Sequence, residues 1–381
     1  MSEARIDRIT NENNTAGPII SGITTFSGQN FFVPPKGTTA QRPSNCPPGS
    51  IRFNTDSAKL EYFDNLQWLE MEAFNVEIGI STNAAGTSGG LGTRGLFGGG
   101  YTPSDVIDYV TISTLGDAID FGNLSAARYA SGSASSRTRG LWMGGAESAV
   151  AVNTIEYITI SSTGDAINFG DLTQPIIYAV GLSNQTRGIA AGGGTPGAVN
   201  NIDYVTIASI GDAQDFGDLI SIQYAPGGCS SSTRGVIFGG RTSPITTYTS
   251  AISFITISST GDAQDFGDLS ANRGYSSSCS SSTRGVVGSG YDGANFLDII
   301  EYITIASTGN VQDFGDLTLA RSGAVACSSP TRGVFGGGTA GGNQTKIDYI
   351  TIATLGNAID FGDRTQSKES LSGCSNGHGG L

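Results

Sequence analysis

The sequence predicts an all-β protein made of six repeated units, and two periodic markers are the basis for this prediction. The tripeptide Thr-Arg-Gly occurs six times at spacings of 45 to 50 residues, beginning at Thr93, Thr138, Thr186, Thr233, Thr283 and Thr331. The pattern Gly-Asp/Asn-x-x-Asp/Asn-Phe-Gly begins at Gly116, Gly164, Gly211, Gly261, Gly309 and Gly356. Two unrelated markers that advance in step indicate a repeated supersecondary unit.

Each repeat contains four short segments with the residue pattern of β-strands. In the third repeat, Ile202, Tyr204 and Thr206 alternate with Asp203 and Val205, and this period of two is typical of strands. No segment has an apolar stripe at helical spacing. Six units of four strands predict a six-bladed β-propeller over residues 76–381.

The C-terminal tail predicts how the ring of blades closes. Residues 371–381 align with residues 324–334, which form the first strand of a repeat. We therefore expect the tail to complete the first blade, whose other strands begin at Thr93, and so to remove a free sheet edge.

The repeats resemble those of kelch-type propellers. Arg128, Gly144-Gly145, Tyr157, Phe169 and Leu172 occur in the kelch order. The same order recurs at Arg321, Gly336-Gly337, Tyr349 and Phe361. Phe stands where kelch repeats usually have Trp, so the resemblance concerns the architecture rather than the cellular kelch proteins.

Residues 1–75 lack the repeat and predict a small β-rich region. Six prolines lie between residues 15 and 48, and the segment 49–71 then reads as a β-meander. Its expected strands are Ile51–Asn54, Lys59–Phe63 and Gln67–Met71. Three short strands are marginally stable alone, so we expect this region to attach the protein to a partner or to oligomerise it.

Both parts of the chain resemble tail-fibre and other virion proteins of tailed bacteriophages, many of them from marine phages and cyanophages. The resemblance rests on ITTFSGQNFFVPPKGTTAQRP (23–43), on GSIRFNTDSAKLEYFDNLQW (49–68) and on repeats of the TRGVFGGG and IDYITIAT type. It implies a virion protein that is assembled in the host cytoplasm. It also implies a homo-oligomer whose N-terminal region contacts other virion proteins.

Composition argues against most catalytic and cofactor-dependent functions. Glycine accounts for 57 of 381 residues, charged residues for 14%, and the net charge is −13. An acidic chain repels phosphate backbones, so we expect no nucleic-acid partner. His378 is the single histidine, and the five cysteines form no CxxC pair. We therefore expect no enzyme activity, cofactor, metal centre or membrane insertion.

Several repeated residues are expected to be structural. The six arginines of the Thr-Arg-Gly marker should bond an Asp of the Gly-Asp turn, such as Asp262 or Asp212 for Arg234, or a carbonyl within or between blades; they are Arg94, Arg139, Arg187, Arg234, Arg284 and Arg332. The repeated Phe residues should mark the blades at Phe121, Phe169, Phe216, Phe266, Phe314 and Phe361. Four equivalent cysteines, Cys229, Cys279, Cys327 and Cys374, should be small buried thiols. The repeated Asp residues are expected to form turns that face solvent, with an ion between blades as the alternative.

The loops that follow each Gly-Gly pair differ between repeats, and diverse loops on a rigid scaffold suit recognition. Candidate binding residues in these loops are Tyr101, Asp105, Glu147, Arg241, Tyr248, Tyr291, Asp292, Phe296, Asn343 and Lys346. The first interpretation is a tail fibre or other attachment protein that recognises a host-surface glycan or protein. The alternatives are a capsid decoration or tail-apparatus protein that binds other virion proteins, and a glycan-cleaving enzyme. The enzyme would need two acids about 5 to 9 Å apart.

Overall fold

The computed structural model describes residues 34–57, 59–70, 93–194, 197–243 and 246–381. The chain divides into two compact units, Met1–Val76 and Glu77–Leu381. Over the described ranges the protein is all-β and contains no α-helix. Accordingly, none of these residues belongs to a helix that could cross a membrane.

The first unit contains one four-stranded sheet. Lys36–Gly37 pairs in parallel with Ile51–Asn54, which is followed by the antiparallel strands Lys59–Phe63 and Trp68–Glu70. A 3-10 turn occupies Thr39–Gln41. The three strands expected from the sequence are present, and the short parallel strand is an addition that the proline-rich segment did not suggest.

The two faces of this sheet have an unusual polarity. One face buries the Glu61 carboxylate, which accepts hydrogen bonds from Arg42 and Asn54. The opposite face leaves Ile51, Leu60 and Tyr62 exposed by 50%, 39% and 36%. Because Ile51 pairs with Tyr62 in the register, these side chains form a continuous apolar surface.

The second unit contains six antiparallel four-stranded sheets, numbered here along the chain, and strands are numbered in their order of pairing within each sheet. Sheet 1 comprises Ser372–Ser375, Arg94–Gly98, Ser104–Thr111 and Ile119–Arg128. Sheet 2 comprises Gly132–Ser135, Arg139–Met143, Thr154–Thr159 and Ile167–Asp171. Sheet 3 comprises Val180–Ser183, Arg187–Ala191, Val199–Thr206 and Gln214–Gln223. Sheet 4 comprises Gly227–Ser230, Arg234–Phe238, Ala251–Thr256 and Gln264–Asp268. Sheet 5 comprises Ser277–Ser280, Arg284–Gly288, Ile299–Thr304 and Gln312–Asp316. Sheet 6 comprises Val325–Ser328, Arg332–Gly336, Lys346–Thr351 and Ile359–Asp363.

Two loops form small hairpins of their own. Ala146–Glu147 pairs with Val150–Ala151 beside sheet 2, and Arg241–Thr242 pairs with Thr247–Tyr248 beside sheet 4. The C-terminal strand Ser372–Ser375 pairs with Arg94–Gly98, as the sequence predicts. The two ends of the repeat region therefore meet in one sheet.

The first strands of the six sheets contact one another in a closed cycle, since each touches the next and that of sheet 6 touches that of sheet 1. A ring of backbone hydrogen bonds follows the same cycle. The residue two positions before each first strand donates its backbone N–H to the carbonyl of the equivalent residue in the preceding sheet, at 2.7 to 3.0 Å. We call these six residues the mouth ring: Ala130, Tyr178, Ala225, Tyr275, Gly323 and Ser370.

The repeated arginines join neighbouring sheets through carbonyl groups. In every repeat the guanidinium donates to the carbonyl of an isoleucine in the next sheet, as Arg234 does to Ile305 at 3.0 Å. Each guanidinium also lies 4.4 to 4.6 Å from the ring centroid of an aromatic residue in its own sheet, which is Phe254 for Arg234. Of the two bonds considered for these arginines, the structure therefore contains the one to a carbonyl.

The Asp side chains of the Gly-Asp turns bond backbone N–H groups rather than the repeated arginines. The Asp262 carboxylate accepts a hydrogen bond from the Asp218 backbone N–H of the preceding sheet, and the equivalent bond recurs in all six repeats. The approach is close: a Cβ at Gly362 would lie 2.6 Å from the Gly116 carbonyl, and Gly362 has φ of +146°. The repeated glycine is therefore required at this junction.

Buried ion pairs lie at four of the six junctions between neighbouring sheets. They are Arg128–Glu156, Arg273–Glu301, Arg321–Asp348 and Arg364–Asp108, with N–O distances of 2.5 to 3.3 Å. At the junction of sheets 3 and 4 the same positions hold Gln223 and Ser253, which are also buried. Because neither the arginine nor the carboxylate is present at that junction, neither charge is buried there without its partner.

The hydrophobic core lies between neighbouring sheets. The six repeated Phe side chains are at most 3% exposed. The four equivalent cysteines are free and buried, which confirms the prediction for them. Each packs toward the glycine of a neighbouring Arg-Gly pair; the Cys279 sulfur, for example, lies 2.5 Å from where a Cβ at Gly333 would be. A larger side chain at that glycine would displace the thiol.

Candidate ligand-binding cup

A cavity of about 480 Å³ opens above the mouth ring, among loops of several sheets. We call it the cup; it is lined by Tyr101, Tyr178, Arg241, Tyr248, Tyr275, Tyr291, Ala294, Phe296, Ser322, Gly323, Glu369 and Ser370. Five of these residues are candidates from the sequence: Tyr101, Arg241, Tyr248, Tyr291 and Phe296. The structure thus brings together loop residues from sheets 1, 4 and 5.

A repeated backbone feature positions the walls of the cup. In every sheet the residue after the Gly-Gly position forms a β-bridge with the residue before the mouth ring. Tyr101 pairs in this way with Glu369, and Arg241 pairs with Tyr224. In each repeat, the two residues at the Gly-Gly position, directly before the bridged loop residue, have positive φ values from +56° to +125°. Eleven of these twelve residues are glycines. The Gly-Gly pairs therefore aim the following side chain toward the mouth.

Aromatic rings form most of the surface of the cup. Tyr291 packs edge-on against Tyr248 with centroids 5.9 Å apart, and it contacts Phe296 at 5.5 Å. Across the mouth, the rings of Tyr178 and Tyr275 lie 5.5 Å apart. These ring–ring contacts hold the aromatic side chains of the cup against one another.

Arg241 lies within this aromatic group. Its guanidinium carbon is 5.5 to 5.8 Å from the ring centroids of Tyr224, Tyr248 and Tyr275. One nitrogen, Nη1, donates to the Tyr275 hydroxyl at 2.6 Å. No carboxylate forms an ion pair with Arg241 in the described part of the chain.

Three titratable groups of the cup have shifted pKa values. Burial raises the pKa of the Tyr248 hydroxyl, although the charge of Arg241 opposes the shift. Burial raises the pKa of the Glu369 carboxyl above its usual range. Burial raises the pKa of Tyr178 to about 12, although the hydrogen bond with Ser370 opposes the shift. At neutral pH the Tyr178 hydroxyl is therefore protonated.

Five candidate residues are placed outside the lining of the cup. Glu147 forms an ion pair with Arg128 at 3.0 Å, and Lys346 contacts Asp360 at 3.6 Å. The Asp292 carboxylate accepts hydrogen bonds from the backbone of its own turn. Asn343 donates to the Tyr101 carbonyl at 3.1 Å, next to the cup. The fifth, Asp105, is exposed on the second residue of Ser104–Thr111.

Sequence reasoning missed Tyr178, Tyr275 and Glu369 because they precede first strands instead of lying in variable loops. The signal that identifies the two tyrosines lies in the backbone conformation. The six mouth-ring residues have φ of +53° to +61°, and this left-handed region disfavours bulky side chains. Tyr at two positions where other repeats have Ala, Gly or Ser therefore indicates a role for the side chain.

The central space below the cup is closed at its far end. First strands of all six sheets line it, and His378 lies across it. The His378 Nδ1 accepts a hydrogen bond from Gly380, while Nε2 lies 3.2 Å from both the Ser135 carbonyl and the Ser183 hydroxyl. Burial lowers the pKa of His378 to about 4. The neutral side chain thus anchors the C-terminus.

The chemistry of the cup suits binding. Glu369 is the one carboxylate among its lining residues, and the described residues contain no cluster of three or more His, Cys, Asp or Glu that could hold a metal ion. No protein-family model matches the chain. No curated protein matches it significantly either.

Proposed function

We propose that this protein is a non-enzymatic binding module, in which a six-bladed, kelch-like β-propeller presents the cup to a ligand on a host surface. The closed cycle of first strands and the mouth ring support the propeller architecture. The aromatic composition and the volume of the cup support a glycan as the ligand, because sugar rings offer apolar faces to aromatic side chains and hydroxyls to polar groups.

The comparison between repeats is the observation on which this proposal depends. All six sheets share one scaffold, so a residue that one copy has and the others lack is not needed for folding. Such departures converge on the cup: Arg241 stands where the other repeats have Tyr101, Ala146, Gly194, Tyr291 and Thr339. The aromatic mouth-ring residues Tyr178 and Tyr275 are departures of the same kind.

The virion context of this proposal comes from the resemblance to phage tail-fibre segments. The exposed apolar face of the first unit is consistent with it, since Ile51, Leu60 and Tyr62 would be covered by another copy or another virion protein. In this arrangement the first unit attaches the protein and the second unit recognises the host.

Binding of the full-length protein to host cells and to extracted surface polysaccharides tests the proposal. We expect saturable binding that falls at least about tenfold in the variant Tyr248→Ala/Tyr291→Ala, because each substitution removes a ring from the cup. Val150→Ala is the matched control, since Val150 is exposed in a loop outside the cup.

Three outcomes would contradict the proposal. Binding that the tyrosine variant leaves unchanged would separate recognition from the cup. Binding to purified virion proteins, with none to cells, would favour the decoration or tail-apparatus alternative. Release of sugar from the polysaccharide would favour the enzyme.

A further inference from the structure

The cup contains an arginine, Arg241, that forms no ion pair with any residue described by the structure. A guanidinium has five N–H donors in a planar fork. For Arg241 the structure provides one acceptor, the Tyr275 hydroxyl, which Nη1 contacts, and Nη2 makes no hydrogen bond among the described residues. Nε is buried without a partner, as is the Nε of other buried arginines such as Arg273. The cup therefore holds a positive charge with unused donors.

This chain has two kinds of structural arginine: the six repeated ones donate to an isoleucine carbonyl of the next sheet, as Arg234 does, and others form buried ion pairs. Arg273, Arg321 and Arg364 each contact a buried carboxylate within 3.1 Å. Arg241 instead lies among tyrosines, although Glu369 lines the same cup. Since the equivalent β-bridge forms in five other sheets without an arginine, the scaffold does not require Arg241.

We propose that the ligand of the cup is an acidic glycan, whose carboxylate binds Arg241 while a sugar ring packs on the tyrosines. This inference rests on the proposed function and narrows its ligand class. A carboxylate matches the guanidinium in charge and in planar geometry. Tyr248 and Tyr275 flank the guanidinium and offer ring faces beside it, and the Ser322 side chain also lines the cup.

An acidic peptide is the competing anion, and the backbone at the rim argues against its binding as an added β-strand. A peptide strand would need unpaired N–H and C=O groups at a sheet edge. At the rim these groups are already used: Tyr101 N–H bonds the Glu369 carbonyl, and Arg241 and Tyr224 exchange both of their backbone bonds. A glycan depends on side chains and does not need this edge.

The test measures binding of the full-length protein to matched pairs of oligosaccharides on an array, followed by calorimetry. Each pair contains an acidic sugar and its neutral counterpart, such as tri-galacturonate and galactotriose, and an oligo-glutamate is included. We expect acidic members to bind at least about tenfold more tightly than their counterparts, as a charged hydrogen-bonded pair implies. Arg241→Gln should abolish this preference and Arg241→Lys should retain part of it.

Arg137→Gln is the matched control, because it makes the same change of net charge at an exposed position outside the cup lining. Equal binding of acidic and neutral sugars, still lost in the tyrosine variant, would overturn the acidic ligand and leave the glycan-binding cup in place. Binding of oligo-glutamate alone would also overturn it. Binding of no probe by a protein that still binds host cells independently of the cup would overturn both proposals.

Discussion

The junction between sheets 4 and 5 allows a direct test of how the ring of sheets is stabilised. Arg273 and Glu301 form an ion pair at 2.5 Å, and their side chains are 1% and 3% exposed. At the equivalent junction of sheets 3 and 4, the chain itself has Gln223 and Ser253. The double substitution Arg273→Gln/Glu301→Ser therefore installs a pair that this fold already accommodates.

The single substitutions should be far more harmful than their combination. Arg273→Gln leaves the Glu301 carboxylate buried without a cation, and Glu301→Ser leaves the guanidinium without an anion; each should lower the free energy of unfolding by about 3 to 5 kcal/mol. The double variant removes both charges, and its loss should be about 1 to 2 kcal/mol, mainly from the smaller volume of Ser. A single substitution should thus lower Tm by roughly 6 to 10 °C.

Urea unfolding followed by tryptophan fluorescence measures these differences. Trp142 is fully buried in the second unit, and a Trp68→Phe background removes the signal of the first unit. The expected coupling energy between the two substitutions is several kcal/mol in favour of the double variant. A double variant that loses as much stability as the two single variants together would refute the reasoning, since the two charges would then act independently.

Four further predictions concern other parts of the molecule. Burial lowers the pKa of His378 to about 4. The neutral side chain therefore contributes stability above the unfolded pKa of about 6.5, and roughly 2.5 kcal/mol of this is lost by pH 4.5. The fall in Tm between neutral pH and pH 4.5 should be smaller in His378→Gln than in the unchanged protein, and an equal fall would contradict this. Ala225→Gly should change the free energy of unfolding by less than about 0.5 kcal/mol in urea titrations, because relief of a left-handed φ of +53° offsets the backbone entropy of glycine; a loss above about 1.5 kcal/mol would contradict it. Ile51→Ser should weaken self-association in light scattering without lowering Tm, and unchanged association would argue against that face as the interface. A thiol reagent should modify Cys46 in the native protein and Cys279 only after unfolding, because Cys279 is buried; equal rates would contradict the buried state.

The repeated part of the fold could be predicted from the sequence because the same requirements occur six times. A glycine at each close approach, an Asp or Asn at each turn and a Phe in each fourth strand are visible as a period. The pairing of Ser372–Ser375 with Arg94–Gly98 followed from the same alignment. Long-range partners were harder to predict: the Asp262 carboxylate bonds a backbone N–H of the preceding sheet, a choice that depends on the distance between sheets.

The residues that line the candidate cup could be predicted from the sequence only in part. Variation between loops identified Tyr248 and Tyr291, but variation alone also selected Asp105, which the structure places outside the cup. Tyr178 was missed because nothing in a sequence indicates that its backbone is left-handed. Backbone conformation and side-chain size conflict there, and such a conflict becomes visible only when φ is known.

The two ends of the central space differ in a way that bears on the proposed binding site. At the far end, His378 and a ring of serine hydroxyls bond one another and the backbone, as Ser375 does with the Ser328 carbonyl at 2.6 Å. Polar groups satisfied in this way have little left to offer a ligand. At the mouth, Arg241 retains unused donors and the tyrosines present ring surface to the cup. The C-terminal residues also reach the far end, where His378 contacts Ser135 and Ser183. The difference between the two ends therefore favours the mouth as the place of the proposed binding.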